Sequence, residues 1–343
     1  MLKAPFSPAR RRVFLALPAV ECLVLLALIA VPFLLVDRID LITLVTNIMI
    51  LAIFALSFDM CWGFSGIMSF GQALFFGVSG YVVALVGRDL NFSALWGALP
   101  LAMMVGLTLA FIMAAFLLFG RMSPSPIFVA FGTLTGAYAA ERLVSGWQYV
   151  GAGNGLSSIK LLELGGFEFV EGTAFYTLSL TCLVFIYLIC RFIVRSQFGL
   201  VLAGLRQNEE RLTFLGYRVQ VFKALVFSYA GMIASLAGAL YSYHQGFIGP
   251  GNMGPGLSTT AVLYCLLGGA GTLIGAVIGT GVIEILTYGL SDVDVIRQFW
   301  PVILGLILLV IVMFQPAGLL GLVVSGRERI GSFGASHRRT AGD

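Results

Sequence analysis

Charge is scarce in this sequence. Of its 343 residues only 10% are Asp, Glu, Lys or Arg, and 59% are apolar. An ordinary soluble domain carries about 25% charged residues, so a soluble fold of this length would lack the polar groups to cover its surface. Histidine is limited to His244 and His337, the first at an expected helix end and the second in a polar tail, which excludes a His-rich metal site. The three lysines, Lys3, Lys160 and Lys223, none of them after a glycine, exclude the G-x-x-x-x-G-K-[ST] phosphate loop. The H-E-x-x-H and G-x-S-x-G patterns are also missing. Cys22, Cys61, Cys182, Cys190 and Cys265 all sit inside apolar runs at no ligand-like spacing and read as small buried hydrophobes. Nothing in the sequence argues for an enzyme.

What the chain has in quantity is apolar sequence. Its mean hydropathy is +1.00, and 42 Gly and 28 Phe suit helices packed inside a bilayer. A spanning helix needs roughly 20 mostly apolar residues. Ten runs are candidates: 13–36, 41–62, 69–87, 96–119, 126–144, 174–194, 221–243, 257–268, 271–290 and 299–315. The opening "MLKAPFSPARRRVFLALPAV" has the layout of a signal peptide, but its apolar stretch continues to Val36 without an evident cleavage pattern, so it reads as a retained first helix. The run at 257–268 is too short for a bilayer core of about 30 Å and reads as broken or re-entrant. The expected fold is an all-α polytopic membrane protein of about 10 transmembrane helices (8–10), some short or broken, with both termini cytoplasmic.

Basic residues test the orientation. With the N-terminus inside, 15 Lys and Arg fall on the inner side and 5, Arg38, Arg88, Arg142, Lys160 and Arg297, on the outer. That is the asymmetry the positive-inside rule requires, with an even number of crossings. Residues 1–324 read as one membrane domain and 325–343 as a polar cytoplasmic tail. Two long loops interrupt the apolar pattern: an outer one, 145–173, acidic and Gly-rich, and an inner one, 195–222, containing "NEERLTFLGYRV". Six of the twenty Lys and Arg lie between Arg191 and Lys223.

Three carboxylates, Glu21, Asp59 and Glu284, fall within apolar runs. Intramembrane carboxylates mark function by default; here the competing reading is a structural hydrogen bond to a neighbouring helix. Two small-residue stripes, Gly271/Gly275/Gly279 and Ala230/Ala234/Gly238, each share one face of an expected helix and favour close backbone packing. In "GFSGIMSFGQALFFGVSGY" the density of Gly63, Gly66 and Gly71, with Ser65 and Ser69, predicts an unwound start to the third helix. Free N–H groups there could hold a carboxylate, with the Ser hydroxyls and the Gln72 amide adding neutral hydrogen-bonding groups; a plain turn and cap is the alternative.

Four segments, in order, resemble one family. "ALSFDMCWGFSGIMSFGQALFFGVSGY" is similar to its glycine-rich early segment and "GNGLSSI" to its outer-loop element. "RSQFGLVLAGLRQNEERLTFLGYRVQVFKALVFSYAGMIASLAGALY" is similar to its cytoplasmic loop and next span, and "LLGGAGTLIGAVIGT" with "FQPAGLLGL" to its C-terminal signature. The family is that of LivM-type permeases of ABC importers for branched-chain amino acids, within a superfamily that includes ribose-type permeases. Gln72 stands where the family often has His, which removes titration at that position. The resemblance implies a permease of the bacterial inner (cytoplasmic) membrane, not an enzyme, that binds no cofactor itself, ATP being held by partner subunits. The implied partners are a LivH-like permease in a heterodimer, two ABC ATPase subunits and a periplasmic substrate-binding protein docking near 145–173 and 244–257. Lipid surrounds the complex, and no nucleic acid is involved. The implied substrates are branched-chain or other aliphatic amino acids; urea, short amides and aromatic acids are served by the same family. The substrate pathway falls on Ser65, Gly66, Ser69 and Gln72.

ABC importer permeases carry an E-A-A-x-x-x-G element that docks on the ATPase. Glu210 and Gly216 keep its spacing here, with Arg211 and Leu212 replacing the alanines. A short amphipathic helix would place Leu212, Phe214 and Leu215 on an apolar side, with Arg206, Glu209 and Glu210 as charges at its rim. A proton-driven secondary carrier using Asp59 and Glu284 remains the alternative of a different class.

Overall fold

The computed structural model describes residues 8–35, 38–119, 126–157 and 159–290, with isolated positions between 302 and 320; side chains are described from Pro18 onward. The chain runs through α1 (Pro8–Leu34), α2 (Ile39–Phe58), a six-residue π turn (Asp59–Phe64), α3 (Gln72–Asp89), α4 (Leu95–Leu118) and α5 (Pro126–Gly146). A segment with strands β1 (Leu156–Ser157), β2 (Glu163–Leu164) and β3 (Phe167–Glu168) follows. Then come α6 (Thr173–Arg195), α7 (Gln197–Gln207), α8 (Glu209–Phe214), α9 (Val219–Gln245), β4 (Phe247–Ile248), α10 (Pro255–Gly268) and α11 (Ile274–Leu290).

The first nine expected runs each coincide with a helix. The tenth, 299–315, lies outside the described residues apart from isolated positions, as does the tail 325–343. Among the described residues five helices are long and apolar enough to cross a membrane: 39–64, 95–118, 126–146, 173–195 and 219–245. At about 1.5 Å per residue, the 14 residues of α10 reach roughly 21 Å, short of a bilayer core, as its run predicts.

Burial divides the long helices. The apolar windows of α2 and α9 are 72% and 78% buried, against 28%, 22% and 22% for α4, α5 and α6. So α2 and α9 form the centre and the other three offer apolar faces outward. Close approach to α9 rests on small residues. A Cβ on Gly238 would press into the Phe76 backbone, and one on Gly231 would meet Ala110 and the Gly106 carbonyl. Ser235 Oγ donates to the Phe75 carbonyl at 3.0 Å, tying α9 to α3. Ala230 and Ala234 are fully buried, as their stripe predicts.

The second stripe needs a correction. Gly275 and Gly279 do pack α11 against the backbone of Gly268 in α10, but Gly271 is not on that helix. It lies in the preceding turn at φ +82°, a conformation glycine adopts without penalty.

Contacts fix which helix ends share a side. Tyr176 Oη donates to the Leu28 carbonyl at 2.5 Å, while Arg191 pairs with Glu21. Helix α1 therefore runs antiparallel to α6, and its start lies at the α7–α8 end. Gly318 packs on Gly269, and Leu319 N–H donates to the Leu267 carbonyl at 2.7 Å, bringing residues 318–320 to that same end. At the opposite end β1 pairs antiparallel with β4, Leu156 opposite Ile248, so the segments 145–173 and 244–257 form one surface. Tyr149 Oη donates to Asp89 at 2.5 Å and Arg88 to the Tyr149 carbonyl at 3.0 Å, holding that surface to the end of α3.

Candidate functional site

The glycine-rich segment unwinds as its composition predicts. Helix α2 widens into the π turn, a feature common at functional sites. Ser65 Oγ donates to the Cys61 carbonyl, Gly66 N–H to Trp62 at 3.0 Å and Ile67 N–H to Cys61 at 3.1 Å. Gly66 then takes φ +77°, and residues 66–71 are non-helical up to the start of α3. Non-helical backbone at membrane depth survives only where its polar groups find partners in protein. Here hydroxyls supply them: Thr133 Oγ1 on α5 accepts from Phe70 N–H at 3.1 Å, Ser69 Oγ from Gly71 N–H at 3.2 Å, and Ser258 Oγ on α10 from Ala73 N–H at 3.1 Å.

Those bonds change the expected ligand chemistry. The Ala73 N–H is committed to Ser258, and both serines of the segment bind main chain. Ser65, Ser69 and Gln72 are buried, whereas Gly66, Met68 and Phe70 are half-buried, so the polar side chains of the segment face protein in this structure. Gln72 differs from the rest. It is fully buried with the Cys61 thiol as its polar neighbour, a weak partner for an amide. A buried amide so poorly satisfied is costly, which makes Gln72 the strongest of the four pathway candidates.

The π turn also meets two distant segments. Asp59 Oδ1 accepts from Gly271 N–H at 2.6 Å in the turn between α10 and α11. Arg206 Nη1, at the end of α7, donates to the Gly63 carbonyl.

The segment between α6 and α9 is built as a supported knob. Ser196 caps α7 by accepting from Phe198 N–H at 3.2 Å. Asn208 caps α8 by accepting from Arg211 N–H at 3.0 Å, a residue type favoured there because its side chain satisfies an orphan helix donor. Gly216 ends α8 at φ +86°, with Tyr217 N–H donating to the Leu212 carbonyl at 3.1 Å, a helix-terminating arrangement that favours glycine. The glycine of the E-x-x-x-x-x-G spacing therefore has a backbone reason to be there.

The expected docking face divides. Leu212 is buried against Gly204 of α7 and anchors α8. Phe214 and Leu215 are 90% and 73% exposed. Of the expected rim charges, Glu209 accepts from the nearly buried Lys223 of α9 at 2.6 Å and Arg206 turns inward to Gly63. Glu210 stays exposed, with the exposed Arg211 next to it in sequence. Leu212, Glu209 and Arg206 thus hold the knob, while Phe214, Leu215 and Glu210 face outward. Sequence reading missed the partners Thr133, Ser258, Asn208 and Lys223; only Asn208, ahead of two glutamates at a helix start, carries a readable signal.

The remaining intramembrane carboxylates have side-chain partners. Glu21 pairs with Arg191 and accepts from Tyr187 Oη at 2.8 Å; Glu284 accepts from Tyr264 Oη.

Residues 41–313 match the family described as branched-chain amino acid transport system, permease component. The chain is 23% identical over 299 residues to the high-affinity branched-chain amino acid transport system permease protein LivM of Salmonella typhimurium, covering 80% of this chain and 68% of that one. It is 24% identical, with the same coverage, to the LivM of Escherichia coli. It is also 28% identical over 254 residues to the autoinducer 2 import system permease protein LsrC of Salmonella paratyphi B, covering 69% of this chain and 68% of that protein. No solved structure matches the chain. The match over 41–313 takes in the π turn, the unwound segment, the α7–α8 knob and the α10–α11 turn: the chain is a multi-pass membrane protein belonging to the branched-chain amino acid transport permease family.

Proposed function

We propose that this chain is the permease subunit of an ATP-driven importer of the bacterial inner membrane, moving branched-chain or related amino acids into the cytoplasm. The observation that carries the reading is α8. It is capped at both ends, anchored by Leu212 and by the Glu209–Lys223 bond, and presents Phe214 and Leu215 to solvent. Two adjacent exposed apolar side chains on a fixed helix suit insertion into a groove of another protein. In this reading they enter an ABC ATPase, two copies of which bind the cytoplasmic face and hold the ATP. A second, LivH-like permease completes the pore, and a periplasmic binding protein docks on the surface formed by 145–173 and 244–257. Closure of the ATPase pair shifts the pore between outward-open and inward-open states through its differential affinity for the two. The path runs past Ser65, Gly66, Ser69 and Gln72, with Gln72 the polar contact.

Amino acids are the substrate class favoured by the LivM relatives. The relatives named for autoinducer 2 import make that compound the first competitor, followed by urea, short amides and aromatic acids. The proton-driven carrier is disfavoured because each of its carboxylates already holds a neighbouring segment. The test is co-purification with candidate ATPases, then uptake in vesicles containing the full complex over that solute panel. ATP-dependent uptake of leucine, isoleucine or valine supports the reading. Uphill uptake by the purified chain alone on a proton gradient overturns it.

A further inference from the structure

Three segments far apart in sequence meet at the α7–α8 end of the bundle with almost no free space. They are the π turn, the end of α7 and the turn between α10 and α11. A Cβ on Gly63 would fall within 2.8 Å of the Asp59 carboxyl carbon and 2.5 Å of Gly271 N. A Cβ on Gly271 would fall 2.9 Å from both Arg206 Nη1 and the Gly63 carbonyl oxygen. Across this junction run two hydrogen bonds, Arg206 to the Gly63 carbonyl and Gly271 N–H to Asp59 at 2.6 Å. The guanidinium of Arg206 and the amide of Thr272 are further polar neighbours of Asp59. Gly66 backs directly onto Arg206, 3.6 Å from its Cα to the site of a Cβ.

The type of contact matters. Each bond joins an ionisable side chain to main chain, and beside them the backbones of Gly63 and Gly271 pack directly on each other. A side-chain pair can switch rotamers, whereas close-packed backbone has no such freedom and transmits displacement. Arg206 also sits one helix before the knob that carries Phe214 and Leu215.

We propose that Arg206 and Asp59 are positioning residues that tie α7 to the π turn and to the α10–α11 turn, so that a push on α8 moves all three as one body. The inference rests on the ATP-driven reading above. It assigns the joint to a continuous rigid unit and the flexing to elsewhere in the chain.

A disulfide tests this in the complete complex, reconstituted with partner permease, ATPases and binding protein. A Cβ on Gly66 would lie 3.7 Å from Arg206 Cβ, close to the roughly 3.8 Å between the Cβ atoms of a disulfide. In the reduced double variant Gly66→Cys with Arg206→Cys, solute moved per ATP hydrolysed falls about tenfold, the factor that roughly 1.4 kcal/mol represents. Oxidation restores it to the level of the Gly66→Cys single variant, because a covalent tie replaces the lost one; that single variant carries the effect of a side chain on the path and at φ +77°, and both oxidised single variants control for the native cysteines. A cross-linked form that stops transporting while the reduced form works overturns the proposal, as does failure of the disulfide to form or a reduced form coupled like the wild type. Should the double variant not assemble, Arg206→Lys, which keeps a donor for Gly63, retains more coupling than Arg206→Leu; equal losses overturn the proposal. A wild-type complex without ATP-driven uptake would instead count against the transport reading itself.

Discussion

Leu212 and Phe214 lie two residues apart on α8 and face opposite ways, the first 8% and the second 90% exposed. At 3.6 residues per turn two positions are separated by about 200°, so one side chain anchors the helix and the other leaves it. Their truncations therefore fail differently. Leu212→Ala removes a buried side chain and costs about 2–5 kcal/mol of stability. Phe214→Asp changes stability by about 0.5 kcal/mol or less, yet weakens ATPase binding by about 2 kcal/mol, roughly thirtyfold, as loss of an interface anchor does. Thermal unfolding of the purified permease and titration with the ATPase separate the two effects. If Phe214→Asp binds like the wild type, α8 is not the docking element.

Gly216 supplies a backbone test of the same knob. A Cβ there meets nothing within 4 Å, so the only cost of a side chain is its φ of +86°. Gly216→Ala should destabilise α8 by about 1–2 kcal/mol, and Gly216→Asn by less, because Asn tolerates the left-handed region better. Exchange of the Leu215 and Gly216 amides in the intact permease reads this directly. Equal exchange in both variants would mean that the positive φ does not select glycine here.

Much of this was legible in the sequence, and the boundary has a physical cause. Apolar runs mark helices because a membrane helix satisfies its own backbone, so nine runs could be read without knowing their neighbours. The break before Gln72 was legible for the converse reason: Gly63, Gly66 and Gly71 weaken a helix locally. Which residues rescue that break was not legible. Thr133 and Ser258 lie 63 and 185 positions away from the amides they accept from, and a hydroxyl in an apolar run looks alike whether it bonds its own helix or another. The same limit explains Gly271. Its spacing to Gly275 and Gly279 fits a helix face, but Asp59, more than 200 positions away, holds it in a turn. Spacing also placed Leu212, Phe214 and Leu215 together, because adjacency on a six-residue helix is ambiguous until Gly204 shows which side is inward.

The close crossing of α9 over α3 predicts an asymmetry between two glycines. A Cβ on Gly238 would strike the carbonyl of Phe76, which is main chain and cannot rotate away, whereas one on Gly281 would find only a methyl of Ile48 at 3.9 Å. Gly238→Ala should therefore cost about 1–3 kcal/mol through overpacking. Gly281→Ala should be neutral or slightly stabilising, since alanine favours the helix by up to about 1 kcal/mol. Melting temperatures of the two variants in one detergent decide it. Two equal melts would mean that α9 and α3 separate more easily than their backbone contact implies.

The Glu21–Arg191 pair joins α1 to α6, with Tyr187 donating to the same carboxylate at 2.8 Å. Removing one partner strands the other charge among apolar helices, and breaking a buried pair in this way typically costs about 3–5 kcal/mol. The pair is partly exposed, so the lower end of that range applies to Arg191→Met. The double variant Glu21→Met with Arg191→Met strands no charge and should recover most of the loss, because well-packed apolar replacement of an ion pair is often near neutral. A double-mutant cycle on thermal unfolding measures the coupling. The same proteins test whether Glu21 has a part in transport. A structural pair leaves ATP-driven uptake intact in the double variant once stability is restored. Full stability with no transport in the double variant would make Glu21 a working group rather than a structural one.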